Sequence, residues 1–64
     1  MIQNNIKQLR QKHDVTQESL AEACGVSRQT IIAIEKGNYT PSLLLAMSIA
    51  QFFKMPVESI FRKS

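Results

Sequence analysis

Apolar residues recur along this chain in short helical phrases, each closed by residues that resist a helix. From Asn5 to His13 the apolar positions are Ile6 and Leu9, with Ile2 able to extend the stripe. That spacing predicts a helix with one buried face. Asn4 or Asn5 can cap it, because a short side-chain oxygen accepts from the free amides of a first turn. Asp14-Val15 turns the chain and Thr16 is the next cap. Gln17 to Cys24 then predicts a second helix, with Leu20, Ala21 and Cys24 inward and Glu18 in the first turn, where its charge favours the helix dipole. Gly25 suits a left-handed stop, which disfavours any residue with a β-carbon. Ser27 caps a third helix from Arg28 to Lys36, and Gly37 ends it. After Asn38-Tyr39-Thr40-Pro41, Ser42 caps a fourth helix from Leu43 to about Phe53. Met55-Pro56 breaks it, and Val57 to Phe61 predicts a fifth. Strand signals are confined to the two ends, Met1-Ile2-Gln3 and Phe61-Arg62-Lys63, which can pair as a tiny β-ribbon. The expected fold class is all-α: a compact five-helix bundle.

The third helix has two unlike sides. At about 100° per residue, Ser27, Ile31, Ile34 and Glu35 fall together on one of them. Gln29, Ile32, Ala33 and Lys36 fall on the other, with Arg28 at its edge. Val26 joins the inner side, and Ala21 is small where the second and third helices must cross. The sharp turn at Gly25 sets a crossing near that of a helix-turn-helix, spanning residues 17–36.

The fourth helix lacks such a division. Leu43, Ala46, Met47, Ala50 and Phe53 are expected inside, yet Leu44, Leu45, Ile49 and Phe52 cover most of the rest, and the polar positions are Ser48 and Gln51. A helix apolar on both sides is normally buried on both. The expectation is a two-fold homodimer seam within residues 43–61, using Leu44, Phe52, Met55, Val57, Ile60 and Phe61. The competing arrangement folds the fifth helix back over the fourth within one chain.

Size and composition narrow this further. Sixty-four residues predict a single domain, 1–64. A fold this short buries only ~60% of its unfolded surface and usually needs a disulfide, a metal or self-association. One cysteine excludes an internal disulfide, and one cysteine with one histidine leaves no structural zinc set. No metal or cofactor is expected, so association is the remaining supplement. The first fifteen residues hold no unbroken apolar run, and no stretch approaches the ~18 apolar residues of a membrane helix. A soluble, cytoplasmic protein is expected, and a lone Cys24 suits a reducing compartment. Net charge is +3, which suits a polyanion without identifying one. Paired catalytic carboxylates, a nucleophile motif and a phosphate-cradling glycine loop are all missing, so an enzyme is not expected.

The segments TQESLAEACGVSRQTI, IEKGNYTPSL and VESIF carry a resemblance to the lambdoid repressor and Cro family of helix-turn-helix regulators. The similarity runs almost end to end, from Ile6 to Phe53 and on into the tail. It implies a lambda repressor-like domain that binds double-stranded DNA, with the third helix in the major groove and the second crossing the backbone. Carried over by position, Gln17 would hold a phosphate and brace the start of the third helix. Arg28 and Gln29 would reach base edges, an arginine suiting guanine O6 and N7 and a glutamine adenine N6 and N7. Ala33 and Ile32 are apolar where many relatives are polar, so thymine methyl groups are their expected partners. Ser27, Lys36, Asn38, Tyr39 and Thr40 would lie along phosphates, which position a protein without specifying sequence. Arg10 and Glu35 match a structural ion pair joining the first and third helices. The resemblance implies a transcriptional regulator, most often a repressor, acting as a homodimer on a near-palindromic operator.

Plainer readings stand beside these. Ile32 can be a stray exposed apolar residue, Arg28 a solvated charge and Tyr39 a cover for its loop. Cys24 reads as an apolar filler of the inner stripe, not a redox switch. His13 reads as favourable charge at a helix end, not a metal ligand. A different class of function is an antitoxin-like module, in which the apolar surface of the last two helices grips a protein partner and DNA binding is secondary.

Overall fold

Three helices each begin at a hydroxyl that accepts a backbone amide three residues on. Thr16 Oγ1 accepts from Ser19 N (2.9 Å), Ser27 Oγ from Thr30 N (3.2 Å) and Ser42 Oγ from Leu45 N (3.1 Å). Such caps contribute about 0.5–2 kcal/mol each. They start α2 (Gln17–Cys24), α3 (Arg28–Glu35) and α4 (Leu43–Phe53), as expected from the sequence. The computed structural model describes residues 2–63. Around these helices it places β1 (Ile2–Asn4), α1 (Ile6–Lys12), α5 (Val57–Ile60) and β2 (Phe61–Lys63).

The stops follow backbone geometry. Gly25 is left-handed at φ 72°, and Val26 N returns to Ala21 O at 3.0 Å, closing α2 so that α3 can cross it. Asp14 (φ 55°) and Lys54 (φ 56°) also take left-handed positions, the second ending α4 without a glycine.

The strands β1 and β2 pair antiparallel in the register Ile2↔Lys63, Gln3↔Arg62, Asn4↔Phe61. The expected ribbon is therefore present and reaches Asn4, while Met1 lies outside the described residues. Phe61 belongs to β2, not to the fifth helix. Asn5 sits at the start of α1 but makes no capping bond. Its side-chain amide instead donates to Ser59 O at 3.2 Å, and its backbone amide to Ile60 O. Asn4 takes over: Oδ1 accepts from Ile6 N, and Nδ2 donates to Ile34 O at 2.8 Å, tying the ribbon to the end of α3.

The core gathers Ile6, Leu9, Leu20, Ala21, Ile31, Ile34, Leu45, Ile49, Ala50, Phe53 and Ile60. Two expectations need correction. On α4 the buried residues are Leu45, Ala46, Ile49, Ala50 and Phe53, whereas Leu43 and Met47, expected inside, are 74% and 53% exposed. Ser48 and Gln51, three residues apart, lie on the side of α4 turned away from the core, and the buried set packs opposite them against α2 and α5. Ile60, expected at a dimer seam, is 1% exposed and belongs to the core. Met55, Val57 and Phe61 pack partly against that same core, because α5 folds back over α4 within one chain. Leu44 (77%) and Phe52 (38%) do remain exposed.

Candidate nucleic-acid interface

The inner stripe of α3, Ile31 and Ile34, is fully buried, and this directs the opposite side outward. Arg28, Gln29, Lys36, Asn38, Tyr39 and Thr40 are exposed, while Ile32 and Ala33 are half-buried on the flank of the helix. Ser27 is exposed too, although its hydroxyl oxygen already serves the α3 cap and shares a 3.1 Å hydrogen bond with Thr30 Oγ1. Gln17 is half-buried at the start of α2, beside Arg28.

Behind this surface runs a chain of polar contacts linking three helices. Arg10 of α1 meets Glu35 of α3 two-pronged: Nε donates to Oε2 at 2.5 Å and Nη2 to Oε1 at 3.1 Å. Arg10 Nη1 also donates to Val15 O at 3.0 Å. The two side chains are 11% and 6% exposed, so the pair is shielded from water. Bidentate geometry of this kind fixes orientation as well as charge. The pair expected from the sequence is present.

Gln17 extends the chain. Its Nε2 donates to Glu35 Oε1 at 3.1 Å, and its Oε1 accepts from Arg28 Nε at 3.4 Å. A carboxylate can only accept, so Glu35 dictates that the amide nitrogen of Gln17 faces inward and its oxygen faces Arg28. Arg28 is thereby engaged at Nε, which leaves its two terminal nitrogens for a two-pronged contact. The Gln17–Glu35 contact does not follow from the sequence. It crosses 18 positions and depends on how α2 and α3 cross, for which no local signal exists.

Two hollows flank α3. Arg10, Gln11, Asp14, Val15, Thr16, Gln17, Glu18 and Arg28 line the one at its start. Ile2, Gln3, Asn4, Glu35, Lys36, Gly37 and Arg62 line the one at its end. A third hollow, between the turn of the central pair and α4, includes Cys24, Tyr39 and Leu44. Cys24 is half-buried at the edge of the core, not deep in the inner stripe as expected, and burial pushes its thiol pKa up. His13 closes α1 and its ring lies 5.8 Å from that of Phe53. Among the described residues no group of His, Cys, Asp and Glu could hold a metal, and no helix is long and apolar enough to cross a membrane.

The helix-turn-helix family model matches residues 6–60. The chain belongs to the Cro/C1-type helix-turn-helix family of transcriptional regulators. It is 58% identical over 60 residues to an uncharacterised helix-turn-helix transcriptional regulator of Methanocaldococcus jannaschii, covering 94% of this chain and 91% of that one. A Vibrio cholerae relative, the cryptic phage CTXphi transcriptional repressor RstR, is 33% identical across all 64 residues, which span 58% of its length. Among solved structures, a candidate DNA-binding protein of Bacteroides fragilis superposes with a TM-score of 0.85 at 26% identity, over 97% of this chain and all of that one. A restriction-modification controller protein of Aeromonas hydrophila shares the fold, with a TM-score of 0.78 at 24% identity over 84% of this chain and 82% of its own. Members of this family bind double-stranded DNA.

Proposed function

We propose that this regulator binds operator DNA sequence-specifically as a homodimer and represses transcription in the cytoplasm. The observation that carries the reading is the orientation of α3: Arg28, Gln29 and Lys36 are open to solvent while Ile31 and Ile34 are sealed in the core. Arg28 and Gln29 read base edges, with Arg28 held by Gln17 so that its terminal nitrogens address a guanine. Ile32 and Ala33, set on the flank, add apolar contact to thymine methyl groups. Gln17, Ser27, Lys36, Asn38, Tyr39 and Thr40 position the protein on phosphates; the second amide hydrogen of Gln17 is not needed by Glu35 and serves this purpose.

The homodimer rests on the outer side of α4. Leu43, Leu44, Met47 and Phe52 are exposed around Gln51 on a side of α4 that the chain's own α5 does not cover. A two-fold pairing on this face, in place of the seam through Ile60, sets two recognition helices on one side of DNA at the ~34 Å of a helical turn. The similarity to a phage transcriptional repressor supports the sign of regulation.

The test is selection of bound fragments from random duplex DNA at near-physiological salt. A near-palindromic consensus with half-sites about one turn apart is expected. A bound pool without any consensus would remove sequence-specific regulation.

A further inference from the structure

The family match covers residues 6–60, so both strands of the terminal ribbon lie outside it. The ribbon nevertheless touches the recognition helix, through Asn4 Nδ2 on Ile34 O, and its register sets Arg62 opposite Gln3. Directly paired residues of an antiparallel ladder project on the same side. Arg62 and Gln3 therefore share one side, and both line the hollow at the end of α3 together with Lys36 and Gly37.

The electrostatics of that hollow are one-sided. Its carboxylate, Glu35, is already engaged by Arg10 and Gln17. Neither Lys36 nor Arg62 forms an ion pair with any described residue, and both are exposed. Two cations from distant parts of the chain thus face one concavity, continuous with the outer side of α3. The hollow of Gln17 and Arg28 lies at the other end of the same helix.

We propose that Arg62, with Lys36 and Gln3, forms a second phosphate-binding site, through which the terminal ribbon grips the DNA backbone at the end of the recognition helix. The site rests on the operator-binding reading above. Arg62 and Lys36 supply charge-assisted donors, and Gln3 an amide. Backbone contacts of this kind add affinity and register without sequence preference.

The experiment measures affinity for the selected operator against salt concentration, for the wild-type protein and for Arg62→Ala, Arg62→Lys and Lys54→Gln. Removing one phosphate-neutralising charge lowers the slope of log K against log salt by about 0.9. Arg62→Ala removes one such charge from each protomer, so it should lower the slope by about 1.8 per bound homodimer and weaken every site several-fold, with the consensus unchanged. Arg62→Lys should restore most of the slope, because the charge returns. Lys54→Gln removes a charge at the end of α4 and should leave the slope as it was. If Arg62→Ala binds with the wild-type slope, or Lys54→Gln lowers it equally, the ribbon site is wrong while operator binding stands. If the wild-type protein selects no consensus at all, the operator reading falls first and this site with it.

Discussion

The outer sides of α3 and α4 are both open to solvent, and they are built on opposite principles. On α3 the exposed side carries Arg28, Gln29 and Lys36, backed by the polar chain Arg10–Glu35–Gln17–Arg28. On α4 the exposed side carries Leu43, Leu44, Met47 and Phe52, with apolar packing behind it. A reading surface needs side chains fixed in direction, which hydrogen bonds and a shielded ion pair supply. An association surface needs apolar area to remove from water, which direction does not improve. This is the contrast expected of the proposed arrangement, in which one helix reads DNA and the next one pairs.

The largest effect should come from breaking the polar support of α3. Glu35→Ala leaves Arg10 shielded without its partner, and removing one member of a buried pair costs about 3–5 kcal/mol. Urea denaturation measures it. Replacing both members by apolar residues, Arg10→Met with Glu35→Leu, should lose far less. Equal losses in the two variants would mean that the pair itself, and not the orphaned charge, dominates.

Next comes α4. Leu44 is exposed in the single chain, so Leu44→Glu should leave the fold intact while shifting the protein from dimer to monomer in analytical ultracentrifugation. Operator affinity should fall with it, since two linked half-sites become independent. A dimer that survives Leu44→Glu and Met47→Glu together would place the seam elsewhere.

Gln17→Met keeps shape but removes both hydrogen bonds, on Glu35 and on Arg28. It should reduce discrimination at the base read by Arg28 by about 1 kcal/mol and leave other positions unchanged. Competition binding against single-base operator variants measures this.

These two helices also show what could be read from residues alone. On α3 the alternation of Ile31 and Ile34 with Gln29 and Lys36 predicts the buried side, and Thr16, Gly25, Ser27 and Ser42 mark where helices start or stop. Each of those signals is local chemistry, acting within four residues. The rotation of α4 is misread because apolar residues surround most of it, although Ser48 and Gln51, three residues apart, mark the side that the structure turns away from the core. Met47 and Leu45 differ little in hydrophobicity, and the packing of α2 and α5 decides between them. The Ser59 partner of Asn5 and the Glu35 partner of Gln17 were hidden because they lie 54 and 18 positions away. The ion pair of Arg10 with Glu35 was expected from resemblance to relatives, not from spacing.

Two smaller tests concern the ends of helices. Lys54 closes α4 at φ 56°, so Lys54→Gly should stabilise by about 1 kcal/mol or less, as relief of the left-handed penalty exceeds the added chain entropy. Burial raises the Cys24 thiol pKa, so the folded state keeps its proton where the unfolded chain has lost one. The stabilisation from this site is complete below the unfolded value and is lost as pH rises toward the folded one. Denaturation midpoints of the wild-type protein should therefore decline above about pH 8.5 slightly more than those of Cys24→Ala. Alkylation of Cys24 should be slower than that of a free thiol.

The most direct measurement of the central claim compares Arg28→Ala and Lys36→Ala across a set of operator half-sites carrying every single-base change. If the outer side of α3 reads bases, Arg28→Ala should lose about 1–3 kcal/mol of discrimination at one position per half-site. Lys36→Ala should weaken all variants about equally. Uniform weakening by both substitutions, with the base preferences of the wild-type protein intact, would contradict it.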